Sequence, residues 1–207
     1  MQNPLTSSLA AERNKQAILE VLRKVLPARG MALEIAAGTG QHAAWFGAGL
    51  PGWIWQPTDA DPQSLAGIAA WSTQAGLTNV RGPLLLDVTA PRWPSAGPAF
   101  TEPFDAIYCA NMLHIAPWAA CAALMRGSAR HLALDGALLT YGPYFEDGMA
   151  AADSNVAFDA SLRERDPQWG IRRIEDVAAE ARKVGLRLQQ RHRMPANNLL
   201  LVFSRAQ

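Results

Sequence analysis

The sequence predicts an α/β protein built on one mostly parallel, doubly wound sheet with helices on both faces. Three observations carry this expectation. Strand-like and helix-like segments alternate from the first amphipathic stretch to Gly142, which is the rhythm of parallel strands joined by right-handed helical crossovers. A glycine loop, "GTG" at 38–40, stands where the first strand turns into a helix. The chain has 207 residues and is 49% hydrophobic, enough for one large core but short for two, so a single domain over 1–207 is expected.

The elements follow in order. In "AAERNKQAILEVLRKVLP", Ile18, Leu22 and Val25 recur at helical spacing and Pro27 stops the pattern, so residues 1–27 read as an N-terminal segment carrying an amphipathic helix. "MALEIA" (31–36) is a buried strand, and "QHAAWFGAGL" is a helix that opens after Gly40. "GWIWQP" is a second strand ending near Asp59. The helix after it should take Asp61 as N-cap and Pro62 as its first residue. "VRGPLLLDV" is the third strand, followed by a connection punctuated by Pro91, Pro94, Pro98 and Pro103. "FDAIYCA" and "GALLTYG" are strands flanking a helix that starts at Pro117. After Gly142 come a helix and loop in "NVAFDASLRERDPQWG", then the helix "RRIEDVAAEARKVG" with Gly185 just past its end. "LRLQQRHRM" and "NLLLVFSRA", joined by "PANN", form a closing antiparallel pair.

Composition narrows the partners. The net charge of +1 gives no global field for nucleic acid or an anionic membrane. Nine basic residues lie between Arg163 and Arg193, but five acids share that span, and no aromatic platform beyond Trp169 interleaves with them. The opening residues lack a basic head followed by an apolar run, so a cytoplasmic protein is expected, with no membrane partner. Cys109 and Cys121 stand in apolar company without metal-ligand spacing, which predicts buried thiols and no metal site.

Glycine at 38 and 40 lets the backbone approach a ligand without a Cβ in the way. "GTGQHA" alone also satisfies a dinucleotide pattern, so its neighbours must decide. Glu34, within the strand, would oppose a pyrophosphate and favour an ammonium or sulfonium. Asp59, 19 residues after Gly40, ends the second strand, where an acid accepts the hydroxyls of an adenosine ribose.

"LEIAAGTG", Asp59, "LLLDV" and "ANMLHI" resemble the motifs of class I S-adenosylmethionine-dependent methyltransferases. "AAERNK", "GTGQH", "WQPTDAD", "NMLHIAPW", "YGPY", "SNVAFDASLRERDPQWGIR" and "MPANN" together resemble the methyltransferase-like 26 family, also catalogued as a domain of unknown function, over nearly the whole chain. The resemblance implies a Rossmann-like sheet of seven strands in the order 3-2-1-4-5-7-6, the seventh antiparallel, with S-adenosylmethionine as methyl donor and S-adenosylhomocysteine as product. It implies a cofactor site made of Glu34, Ala36, Gly38, Thr39, Gly40, His42, Asp59, Asp87, Val88, Asn111 and Met112, with Asp87 and Val88 beside the adenine. Ala36 departs from the glycine that many class I members carry.

The resemblance supplies no acceptor, so that part rests on residue chemistry. His114, Tyr141 and Asn155 fall at or near the ligand edge of the sheet and are the candidates for positioning an acceptor, with His114 the first candidate for a general base. Asn14, Tyr144, Trp169 and Asn197 are candidate acceptor contacts. The N-terminal helix, the 142–172 insertion and the "MPANN" turn converge on one edge, which predicts an enclosed pocket for a small polar acceptor. A protein acceptor and a cofactor-binding protein without activity are the alternatives. A nicotinamide-dependent reductase is disfavoured, because none of the three lysines follows a tyrosine at the Tyr-x-x-x-Lys spacing.

Overall fold

A computed structural model describes residues 5–205. Residues 1–4 of the expected N-terminal segment and residues 206–207 lie outside the described residues. Helix α1 (Leu9–Val25) starts at Ser8, whose side chain accepts from the Ala11 amide, and buries Ile18, Leu19, Val21 and Leu22 on one face. The chain continues through β1 (Gly30–Ile35), α2 (Gln41–Gly49), β2 (Trp53–Asp59), α3 (Ser64–Gln74), β3 (Leu84–Leu85) and β4 (Phe104–Ala110). A single 3-10 turn (Met112–His114) precedes α4 (Trp118–His131) and β5 (Leu132–Phe145). Then follow α5 (Asp153–Arg165), β6 (Arg172–Arg173), α6 (Ile174–Lys183), β7 (Leu186–Met194) and β8 (Asn198–Arg205).

The strands lie in the order β3-β2-β1-β4-β5-β8-β7, with β6 pairing β5 off this path. β8 runs antiparallel to both β5 and β7, and the other pairs are parallel. Apart from the two-residue β6, this is the predicted strand order with its antiparallel closing strand. α/β sheets of this kind need cover on both faces. Two apolar clusters supply it: one joins β1, β4 and β5 to α4 and α6, the other joins the same strands to α1 and α2. Parity along β1 assigns the faces. Leu33 and Ile35 point into the first cluster and Ala32 into the second.

Two local expectations need correction. Helix α3 begins at Ser64, not Pro62, because Asp61 caps a turn ahead of it by accepting from the Gln63 amide and the Ser64 hydroxyl. The third strand shrinks to Leu84–Leu85 plus a single bridge from Val80 to Trp55. Pro83 has no N–H to offer a ladder, and β3 is an edge strand where so short a pairing suffices. Among the described residues no helix is long and apolar enough to cross a membrane.

Candidate functional site

The carboxyl ends of β1, β4 and β5 converge on one edge, and there the chain departs from regular dihedrals. Ala36 (φ 54) and Asn111 (φ 61) adopt left-handed backbone at the ends of β1 and β4. Gly38 (φ 59) and Gly40 (φ 87) are left-handed in the loop between β1 and α2. These two glycines differ in kind. A Cβ at Gly40 would fall 2.6 Å from the Ile68 Cα, so this glycine is required by the packing of α3. A Cβ at Gly38 would meet nothing within 4 Å, so its bareness faces open space.

Asp59 locks the loop from below: its Oδ2 accepts from the Gly38 amide at 2.8 Å, and its Oδ1 from the Asp61 amide at 2.9 Å. Over the loop lies a cavity of about 460 Å3, lined by Ala36, Gly38, Thr39, His42, Asp61 and Asn111 among others. Its roof includes Thr6, Ser8 and Ala11 of the N-terminal segment. Gln41 ties that roof down. Its Oε1 accepts from the Ser8 amide and from the Thr39 hydroxyl at 3.0 Å, and its Nε2 donates to Glu12 at 3.2 Å. No lysine or arginine is among the residues lining this cavity, and Asp61 is its acid.

A second cavity of about 620 Å3 adjoins the first, sharing Ser8, Asn111 and Ile115 with it. Asn14, His114, Tyr141 and Asn155 all line it, brought together from α1, the 3-10 turn, β5 and α5. All four are buried. Gly142 lies against the His114 ring: a Cβ there would sit 3.4 Å from His114 Nδ1, an ordinary contact distance. Arg172 and Gly170 of the insertion hold the His114 loop: the guanidinium donates to the Leu113 and Ala116 carbonyls, and the Gly170 amide to the His114 carbonyl. Asn155 Nδ2 donates to the Asn197 carbonyl at 3.1 Å, which fastens α5 to the β7–β8 turn. The wall includes Ile115 and Phe158, which are 43% and 40% exposed. The pocket is therefore less enclosed than the sequence led us to expect: α5 covers it with a side chain that itself remains in contact with water.

A polar chain links the cavities. His42 Nε2 lies 2.7 Å from Asn14 Oδ1, and since that oxygen can only accept, Nε2 carries the proton. Nδ1 is then free to accept from the Tyr108 hydroxyl at 3.3 Å. Asn14 lines the second cavity beside Tyr141. Burial, with Lys15 nearby, pushes the His42 pKa down to about 4, and burial beside Arg172 does the same to His114, so both rings are neutral at pH 7. Burial raises Tyr141.

The remaining expected residues lie elsewhere. Glu34 is buried beneath the loop and does not line either cavity; its strand parity sends it toward α2, where it accepts from Trp55 Nε1 at 2.6 Å. Burial raises its pKa to about 8, with Asp59 adding to the rise against the opposing Trp55 bond. The raised pKa disfavours a charge on Glu34. Asp87 is exposed and its Oδ1 accepts from the Thr89 amide and hydroxyl, while Val88 borders a separate cavity beside α4. Met112 packs against the core. Tyr144 is buried with its hydroxyl on Thr140, Asn197 is exposed with its amide on the Ser154 hydroxyl, and Trp169 stacks under Arg165. Cys109 and Cys121 are free and buried, which raises both thiols.

Sequence reasoning missed Ser8, Gln41, Asp61 and Phe158 as site residues. Gln41 was findable as the first residue after a left-handed glycine, and Ser8 as a helix N-cap. Phe158 carried no signal beyond lying one turn past Asn155.

The sheet order and the cleft at its carboxyl edge define the Rossmann-like class I methyltransferase fold. The chain belongs to the family described as a protein of unknown function (DUF938), whose model matches residues 6–205. Its fold is shared with an O-methyltransferase family 2 protein from Planctomyces limnophilus solved with apigenin, at TM-score 0.78 and 18% identity over 95% of this chain and 58% of that one. It is shared with the mitomycin 7-O-methyltransferase MmcR, at TM-score 0.74 and 20% identity over 86% of this chain and 50% of that one. A third similar structure is NcsB1, an O-methyltransferase from neocarzinostatin biosynthesis in complex with S-adenosylmethionine and a hydroxy-methyl-naphthoic acid. It matches at TM-score 0.75 and 12% identity over 95% of this chain and 55% of that one. The chain thus spans about half the length of the structures it matches.

Proposed function

We propose that this protein transfers a methyl group from S-adenosylmethionine to a small polar acceptor, acting as one domain. In this reading residues 1–27 roof the cofactor and residues 142–172 flank the acceptor pocket. The observation that carries the reading is the pair of adjoining cavities at the carboxyl ends of β1, β4 and β5, one over a left-handed glycine loop and one lined by polar side chains. Such a crevice is where open α/β sheets bind ligands. The bound cofactors named for the similar structures agree with it, as does the resemblance to the methyltransferase-like 26 family.

The residues present fit the cofactor. Gly38 leaves space above the loop, and the lining charge is acidic, which suits a sulfonium and ammonium and repels a dinucleotide's pyrophosphate. Asp61 would take the ribose hydroxyls, with Asp59 outside the lining and holding the loop beneath them; Gly38, Thr39 and His42 would take the methionine end, and Asn111 the boundary between the two cavities. Asp87 holds Thr89 through Oδ1 alone, and its Oδ2 would accept from the adenine amino group. Bound S-adenosylmethionine supplies a methyl carbon already activated by the sulfonium, so the protein's task is alignment. Asn14, His114, Tyr141 and Asn155 would hold the acceptor in line. Incubation with methyl-labelled cofactor in metabolite and macromolecule fractions of a cell extract tests the reading. Label in metabolites is expected. Label only in protein or RNA would contradict a small acceptor, and label in neither would contradict catalysis.

A further inference from the structure

The chemistry of the acceptor cavity is lopsided. Its lining contains no aspartate, glutamate or lysine, and its one ionised side chain is Arg13. The Arg13 Nε donates to the Leu9 carbonyl at 3.2 Å, while its other nitrogens meet no carboxylate within ion-pair distance among the described residues. Deeper in lies Tyr141, buried beside Asn14 in the same lining. Ile115, Pro143, Phe158 and Pro195 give the walls apolar surface. An ammonium entering this space would find no counter-charge, and losing water without one is costly. A hydroxyl that must first be deprotonated would find no carboxylate or amine base, and His114 is a weak one because its pKa is depressed.

We infer that the acceptor is an oxygen acid on an apolar body of one or two rings, bound as its anion between Arg13 and the Tyr141 hydroxyl. The inference rests on reading this cavity as the methyl-acceptor site. In the transfer, a lone pair of the acceptor oxygen forms the new O–C bond as the sulfonium S–C bond breaks, and that electron pair stays on sulfur. The anion's charge cancels the sulfonium's, so no proton has to leave. A carboxylate gives a methyl ester and a phenolate gives a methyl ether.

Calorimetric titration of the S-adenosylhomocysteine-saturated protein with 2-naphthoate, 2-naphthamide and 2-naphthylmethylammonium tests this. We expect naphthoate to bind at least tenfold tighter than the amide, with the ammonium weakest. Arg13→Ala should lower naphthoate affinity about tenfold and leave the amide within twofold. An additional titration with 4-nitrophenolate separates the sources: tighter naphthoate supports a carboxylic acid, tighter nitrophenolate an acidic phenol. Amide or ammonium binding as tight as naphthoate, no binding by either anion, or an unchanged preference in Arg13→Ala would overturn the inference. S-adenosylhomocysteine binding is measured separately. If it fails, the methyltransferase reading falls, while the naphthoate preference of the ligand-free protein still reports on the pocket.

Discussion

The two cavities are built by opposite means. Over the glycine loop the shape is set by main chain: left-handed Ala36, Gly38 and Gly40, and an aspartate whose two oxygens are held by loop amides. Beside it, the acceptor cavity is set by side chains drawn from α1, the 3-10 turn, β5, α5 and the β7–β8 turn. The first region comes mainly from residues 34–64 and the second spans the chain. Changes in the first should therefore disturb fold and cofactor binding together, whereas changes in the second should reach the acceptor with little effect on either.

The largest expected effect contrasts the two glycines. Gly40→Ala combines left-handed backbone with a contact to α3 main chain and should cost about 3–4 kcal/mol of stability in denaturant unfolding. Gly38→Ala meets no atom and should cost about 1 kcal/mol, its larger effect appearing as lost affinity for S-adenosylhomocysteine. Equal stability losses would erase the distinction between a packing glycine and a ligand-facing one.

Next comes Glu34. A buried acid whose pKa lies above its ordinary value binds an extra proton in the folded state, so its contribution favours folding at low pH. That contribution fades as pH rises from about 4.5 to about 8. Glu34→Gln keeps an acceptor for Trp55 and should remove this slope, so that the variant gains stability over the wild type as pH rises from 4 to 9. Thermal unfolding across that range reads it, and an unchanged slope would place the titrating group elsewhere.

Smaller effects separate the regions more finely. Asp59→Ala should weaken S-adenosylhomocysteine by about 2 kcal/mol in calorimetry. Tyr141→Phe, on the other side, should leave that affinity within twofold, cost about 1 kcal/mol of stability, and raise the acceptor KM. If Tyr141→Phe weakens the cofactor as much as Asp59→Ala does, the side-chain cavity is not separable from the main-chain one.

The same contrast explains what the sequence revealed. The glycine loop, the Asp59 spacing and the closing antiparallel pair are local patterns, legible because periodicity and glycine placement act within a few residues. Asn14, His114, Tyr141 and Asn155 were legible as polar residues near the ligand edge, and the topology brings all four to one cavity. The role expected of Glu34 as a counter-charge was not readable. Strand parity fixed its face, but the bond from Trp55 and the burial that raises its pKa come from packing between strands. A strand-ending aspartate that meets a ligand and one that forms a turn read alike in sequence, and for Asp87 the structure adds the turn bonds to Thr89. Phe158 and Ile115 became wall residues through contacts far apart in sequence, which no local pattern encodes.

The most direct test is calorimetric titration of the wild-type protein with S-adenosylhomocysteine and, separately, NAD. The cavity over the glycine loop, with Asp61 and no lining cation, predicts 1:1 binding of S-adenosylhomocysteine, weakened at least tenfold in Asp59→Ala, and no measurable binding of NAD. Tight NAD binding, or S-adenosylhomocysteine affinity indifferent to Asp59→Ala, would contradict the account.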